Sequence, residues 1–162
     1  MQINLKQIAT IKSPFCELKN MPVQPCGARD TYATIEFKEE FCEGLKDLNG
    51  FSHVYLIYYF HKVDEHKLSV IPFNDKTNTQ RGVFSTRTPM HPNSIGLSVV
   101  ELIGVEGNIV TIKGVDIVDG TPLLDIKPYI ENFDKIDGEV KNGWMQSSAD
   151  EVSSMRSDKR FV

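Results

Sequence analysis

Two segments of the chain concentrate the side chains that could hold a polar ligand or move a proton. The first, GVFSTRTPMHPNSIGLS (82–98), carries Arg87, His91 and Asn93. Arg87 offers a planar fork of donors suited to a carboxylate or a phosphate. Asn93 follows Pro92, so its amide is presented on backbone stiffened by proline, and Gly96 lets another group approach the chain closely. The second segment, DIVDGTPLLDIKPY (116–129), carries Asp116, Asp119, Asp125, Lys127 and Tyr129. An architectural reading stands beside the chemical one. Asp119-Gly120-Thr121-Pro122 has the composition of a turn that Asp119 would cap, and Asp125 can pair with Lys127 or Arg87. The density of hydrogen-bonding groups in two loops beside apolar runs favours the rim of a ligand site at one end of a barrel.

Several chemistries are excluded. The chain has no G-x-G-x-x-G after a strand, no phosphate-binding GK[ST] loop, no H-E-x-x-H and no G-x-S-x-G. The four histidines (His53, His61, His66, His91) lack metal-ligand spacing, so no metal is expected. Cys16, Cys26 and Cys42 form no C-x-x-C pair and read as reduced, partly buried thiols. The net charge of −4 carries no nucleic-acid signature, so a polyanionic partner would need a local basic patch. No stretch approaches the ~18 consecutive apolar residues of a membrane span. The first residues lack the pattern of a signal peptide, which makes a cytoplasmic location the expectation.

The elements that must position these loops are short strands. With 162 residues, 40% hydrophobic and 25% charged, the chain is ordinary for one globular domain. Strands are expected at 3–11 and 31–37, and HVYLIYYF (53–60), apolar on both faces, predicts a central one. Further strands are expected at 97–103 and 109–112 around a turn at 104–108, and at 115–118 and 123–126 around the 119–122 turn. A short helix fits 39–45, limited by Gly44, and 62–80 reads as a long mobile connection. The pattern predicts a mainly β fold, a small antiparallel barrel or sandwich with one or two short helices. It divides into a barrel domain over 1–135 and a polar C-terminal extension over 136–162. In that extension Trp144 is the single large anchor, Ser148 and Glu151 form a capping box, and Arg156, Lys159 and Arg160 make a small basic cluster. A docked arm ordered against a partner subunit and a frayed tail are both open readings.

The two long segments together resemble the paired signature of the TsaA-like (TrmO) family. IKSPF (11–15), PVQP (22–25) and GFSHVYLIYYFH (50–61) extend the resemblance over about residues 5–130. The resemblance implies a small β-barrel, a homodimer with S-adenosylmethionine near the subunit interface, and N6-methylation of threonylcarbamoyladenosine at position 37 of tRNA. Carried over position by position, cofactor contacts fall on Pro22, Gln24, His61, Lys62, Arg87, Leu97, Asp119, Gly120, Thr121 and Pro122. Within that frame Arg87 suits the cofactor carboxylate, Asp119 the ammonium or ribose, and Leu97 the adenine face. Asp125 is the candidate proton acceptor, with Tyr129 second; His91, Asn93 and Lys127 are candidate substrate contacts. Two departures remove positive charge: Val23 stands where the family reads arginine in P-R-Q-P, and His91 where it reads arginine in R-P-N. Each lost phosphate contact weakens tRNA binding. Methylation of a small molecule, or cofactor binding without turnover, therefore remain as alternatives.

Overall fold

The computed structural model describes residues 2–19, 21–22, 27–73, 75–145 and 147–157. Its strands are β1 (Ala9–Lys12), β2 (Tyr32–Phe37), β3 (His53–Tyr59), β4 (Ser69–Val70), β5 (Arg81–Gly82), β6 (Ile95–Glu106), β7 (Ile109–Lys113) and β8 (Thr121–Pro128). Six of them close an antiparallel barrel in the order β1-β2-β7-β6-β3-β8, and β4 pairs with β5 apart from it. Closure leaves the barrel without a free edge. Period-two alternation sends Ile11, Ile35, Leu56, Val100, Val110, Ile112 and Leu123 into a fully buried interior. The β3 strand lies between β6 and β8, but closure gives every strand two neighbours and only the inward face of β3 is buried, so the expected central strand with two covered faces is not found.

Several expected boundaries are corrected. Only Ala9–Lys12 of the first apolar run is strand. The β6 strand continues to Glu106, and Gly104 sits at a register shift within it. The turn is thus Gly107-Asn108, with Gly107 at φ 61°. The segment 115–118 is not a strand: it crosses the barrel end irregularly, its Ile117 carbonyl accepting the Ser13 hydroxyl at 2.5 Å. Residues 39–45 form a 3₁₀ helix (Glu39–Leu45) rather than an α-helix. The 62–80 connection is anchored. Val63 and Val70 join Val83 and Met90 in a second small core, and Arg81 pairs with Asp75 at 2.7 Å. Cys16 is exposed instead of partly buried, Cys42 is half-buried, and Cys26 lies outside the described residues.

Beyond the barrel come two single-turn helices, α1 (Glu131–Asp134) and α2 (Ala149–Ser153). The capping box forms: Ser148 Oγ accepts the Glu151 amide at 3.2 Å and the Glu151 carboxylate accepts the Ser148 amide at 2.8 Å. The arm folds back on its own chain, with the Trp144 indole donating to the Ser85 carbonyl at 2.8 Å. Among the described residues no helix is long and apolar enough to cross a membrane, and no group of three metal-ligating side chains gathers.

Candidate cofactor site

The site is built where β3 ends and β6 and β8 begin. The turn before β8 is held by the adjacent strand β1 and its exit. Gly120, at φ 77°, donates to the Ile11 carbonyl at 2.9 Å, and the Asp119 amide donates to Phe15 at 2.8 Å. Asp119 does not cap its own turn: its Oδ1 accepts the Ser13 amide at 3.1 Å, tying the exit of β1 to the entry of β8. Thr121 is buried; its hydroxyl donates to Val118 at 2.7 Å and stands 3.4 Å from Nδ1 of His61. Burial holds the His61 imidazole below its ordinary value, Lys62 adds to this, and Asp119 opposes it. The ring is therefore neutral at neutral pH. The exit of β3 and the turn before β8 thus bring His61, Asp119 and Thr121 together.

Beneath this turn lies a polar group with no assigned role in the sequence. Oδ1 of Asp116 is buried and unpartnered among the described residues, and burial raises its carboxyl to about 6. Its charge is felt by Tyr58, whose buried phenol bonds Ser98 Oγ at 3.1 Å. The close approach that Gly96 permits is to this ring: a Cβ at position 96 would lie 2.2 Å from Cε2 of Tyr58.

The central loop enters the same end of the barrel. Ser94 takes a left-handed φ of 48°, accepts the Phe60 amide at 2.8 Å and donates to His91 O at 3.0 Å. His91 is engaged within the loop, its Nε2 3.1 Å from Thr86 O and its ring edge-on to Phe84. Arg87 is exposed and makes no ion pair with the described residues, and Asn93 is exposed beside it in the loop. Lys62 is exposed next to His61. Pro22 pairs in a β-bridge with Arg156; Gln24 lies outside the described residues.

Leu97, Asp125, Lys127 and Tyr129 are placed differently, on the outer wall. Ile57 of β3 stands opposite both Leu97 of β6 and Asp125 of β8, so the three side chains share one outward row. Asp125 is aimed there by a β-bulge. Tyr58 opposes Leu123 but Ile57 opposes Asp125, leaving Leu124 as the extra residue that reverses the facing of everything after it. Asp125 pairs with Lys127 at 2.8 Å and accepts the Ile126 amide at 2.9 Å. Tyr129 packs against Tyr55 and His53, with ring centroids 5.9 and 6.4 Å apart. The structure therefore does not bring Asp125 and Tyr129 into the His61–Asp119–Thr121 group.

Sequence and fold comparisons define the class as S-adenosylmethionine-dependent methyltransferases built on this barrel. More narrowly, the chain belongs to the tRNA-methyltransferase O family, whose N-terminal domain profile matches residues 10–135. It is 45% identical over 161 residues to a Pyrococcus abyssi protein named a probable S-adenosyl-L-methionine-binding protein, covering 99% of this chain and 86% of that one. It is 38% identical to the mouse tRNA (adenine(37)-N6)-methyltransferase over 78% of this chain and 31% of the mouse protein. The crystal structure of Pseudomonas aeruginosa TrmO superposes with a TM-score of 0.73 at 36% identity, over 88% of this chain and 61% of that one. The chain thus spans most of the archaeal relative but under two thirds of the solved bacterial one.

Proposed function

We propose that the chain binds S-adenosylmethionine at the β3–β6–β8 end of the barrel and methylates N6 of threonylcarbamoyladenosine at position 37 of tRNA, as a homodimer. The observation that carries this reading is the gathering of His61, Asp119 and Thr121 at the barrel end that the unpaired Arg87 loop also enters. These residues fit the cofactor. Arg87 is free to take a carboxylate, and Asp119 keeps one carboxylate oxygen beyond its Ser13 bond for an ammonium or ribose hydroxyl. Neutral His61 lines the site without repelling a cation, and Leu97 with Ile57 supplies an apolar wall. The bound cofactor supplies an electrophilic methyl group on a sulfonium. The chain's own task is then mostly positioning, which in well-oriented systems is worth on the order of 7–11 kcal/mol. Asp125, fixed by Lys127 and the Ile126 amide, is the group assigned to accept the proton released by the methylated nitrogen, with Tyr129 farther along the same wall.

The outer face supports the dimer. Tyr55, Ile57 and Tyr59 pair in register with Val99, Leu97 and Ile95, making one contiguous apolar surface on which Leu97 is 60% exposed. Such a surface on a globular protein marks an interface, and a second copy seated there would enclose Leu97 and Asp125. A small-molecule acceptor is the second reading, favoured by His91 turning into its own loop instead of offering a charge to phosphate. Calorimetry with S-adenosylmethionine, followed by transfer of labelled methyl to tRNA with and without the threonylcarbamoyl group, tests the proposal. Binding weakened at least tenfold in Arg87→Ala is expected; unchanged affinity would remove Arg87 from the site. Label on no tRNA would leave the small-molecule reading.

A further inference from the structure

The C-terminal arm reaches beyond residue 135, where the family profile ends. Among the described residues its contacts reach both Met21–Pro22 and the loop that carries Arg87. At one end, the Trp144 indole donates to Ser85 O at 2.8 Å, two residues before Arg87, and the Arg81 guanidinium lies 5.3 Å over the indole. Arg81 is itself fixed by Asp75 at 2.7 Å and Thr77 at 3.0 Å, and Lys76 of the same loop meets Glu151 of the arm at 2.6 Å. At the other end, the Ser157 amide donates to Met21 O at 2.8 Å, and the Met21 amide returns to Ser157 Oγ at 2.9 Å. That hydroxyl also donates to Leu18 O, and Arg156 bridges Pro22. Gly27 closes the loop against the arm: a Cβ there would stand 2.8 Å from Ser153 O.

We infer that this arm is a strap that holds the Met21–Pro22 segment and the Ser85 end of the Arg87 loop, so that Trp144 and Ser157 are positioning residues for cofactor binding. The inference rests on the cofactor reading above. Its physical basis is preorganisation. Beyond the 3₁₀ turn Val83–Ser85, residues 86–94 have no helix or strand, and Pro22 is paired to Arg156 of the arm itself, so ordering these segments on binding would subtract from affinity. Contacts made in advance by the arm remove that cost, while the barrel core, which the strap does not enter, keeps its own stability. Trp144 supplies two separable parts: an N–H for the Ser85 carbonyl and a ring face for Arg81.

The test compares Trp144→Ala, Ser157→Ala and their combination with wild type and with Arg87→Ala. Three quantities are measured: the S-adenosylmethionine Kd by calorimetry, KM and kcat for labelled methyl transfer, and the thermal midpoint. Each single strap variant should weaken cofactor binding by about tenfold and raise the cofactor KM with kcat at saturation unchanged. Trp144→Phe, which keeps the ring but loses the N–H, should fall between wild type and Trp144→Ala. Where Trp144→Ala lowers the midpoint by more than a few degrees, Ser157→Ala, a smaller change, carries the comparison. Arg87→Ala weakened with both strap variants and their combination at wild-type Kd would overturn the strap and leave the site standing. Unchanged affinity in Arg87→Ala would overturn the site reading and the strap with it. A fall in kcat with KM unchanged would also overturn the strap, since the arm would then act on chemistry.

Discussion

Replacing Asp116 by asparagine should flatten a pH dependence of stability that this one carboxyl creates. Asp116 lies between the buried Val115 and Ile117 in the irregular segment below the 119–120 turn, with Oδ1 buried and unpartnered. Burial raises its carboxyl from 3.8 to about 6, only partly offset by the residue's own amide. Between about 4 and 6 the folded protein therefore keeps a proton that the unfolded chain releases. The stability associated with the neutral form is complete below about 4 and is lost as pH rises through about 6. At 1.36 kcal/mol per pH unit, the loss by pH 8 is about 3 kcal/mol. Asparagine keeps the shape without the charge. Its buried amide costs roughly 1–3 kcal/mol if unpaired, but that cost does not vary with pH and shifts only the offset. Other groups cancel in the comparison: Asp75 beside Arg81 and Glu151 beside Lys76 are held low and act in the opposite sense in both proteins. The assay is urea unfolding of both proteins at pH 4, 5, 6, 7 and 8, at one protein concentration. The variant should gain about 2.5 kcal/mol on wild type between pH 4 and pH 8, the unfolded carboxyl being already partly ionised at pH 4. A difference constant to within about 0.5 kcal/mol across that range would show that Asp116 is solvated or paired in the folded protein, and the reasoning would fail.

Three further outcomes are expected. Gly96→Ala drives a methyl group into the Tyr58 ring and should cost about 1–3 kcal/mol in denaturant unfolding, and clearly less in a Tyr58→Leu background; equal costs in both would refute the contact. The His61 NMR titration should have its midpoint below 6.5, moving up in Lys62→Ala and further down in Asp119→Asn, because Lys62 disfavours and Asp119 favours the imidazolium. The same sign makes His61 stabilising at neutral pH and destabilising as pH falls below 6.5, so a midpoint at or above 6.5 would contradict the burial. By light scattering wild type should be a dimer and Leu97→Glu, which puts a charge at the centre of the outer apolar face, a monomer; a dimeric variant would place the interface elsewhere.

The barrel was legible because its strands obey period two. HVYLIYYF is the strand its composition predicts, but only its inward residues Val54, Leu56 and Tyr58 are buried, and its outward residues belong to the open apolar face. Boundaries were less legible where a glycine has two meanings. Gly104 suggested a turn by composition, yet it sits at an irregularity inside β6, and the true turn is the next left-handed glycine, Gly107. The segment 115–118 has strand composition but is pinned to the barrel end through Ser13, a bond to a residue about a hundred positions away. Anchoring of 62–80 was likewise invisible, since Val63, Val70, Val83 and Met90 meet only after β4 and β5 pair.

The residues expected to form the site could be named from the sequence, but their facing could not. The residues of the 116–129 segment were singled out together, yet the chain separates them onto two sides of one wall. Counting by twos from the inward Leu123 puts Asp125 inside, with Thr121 and His61; the extra Leu124 puts it outside, with Leu97 and Ile57. No composition rule announces that bulge, because leucine is at home on either side of it. Its consequence reaches the function. Groups suited to grip a cofactor lie at the barrel end, and groups suited to take a proton lie on an apolar outer face that one chain leaves open. A single copy can therefore present every named side chain and still fail to enclose a reacting nitrogen. On the proposed reading, closing that gap falls to a second copy covering the outer face, while the arm acts one step earlier, on how tightly the cofactor is held.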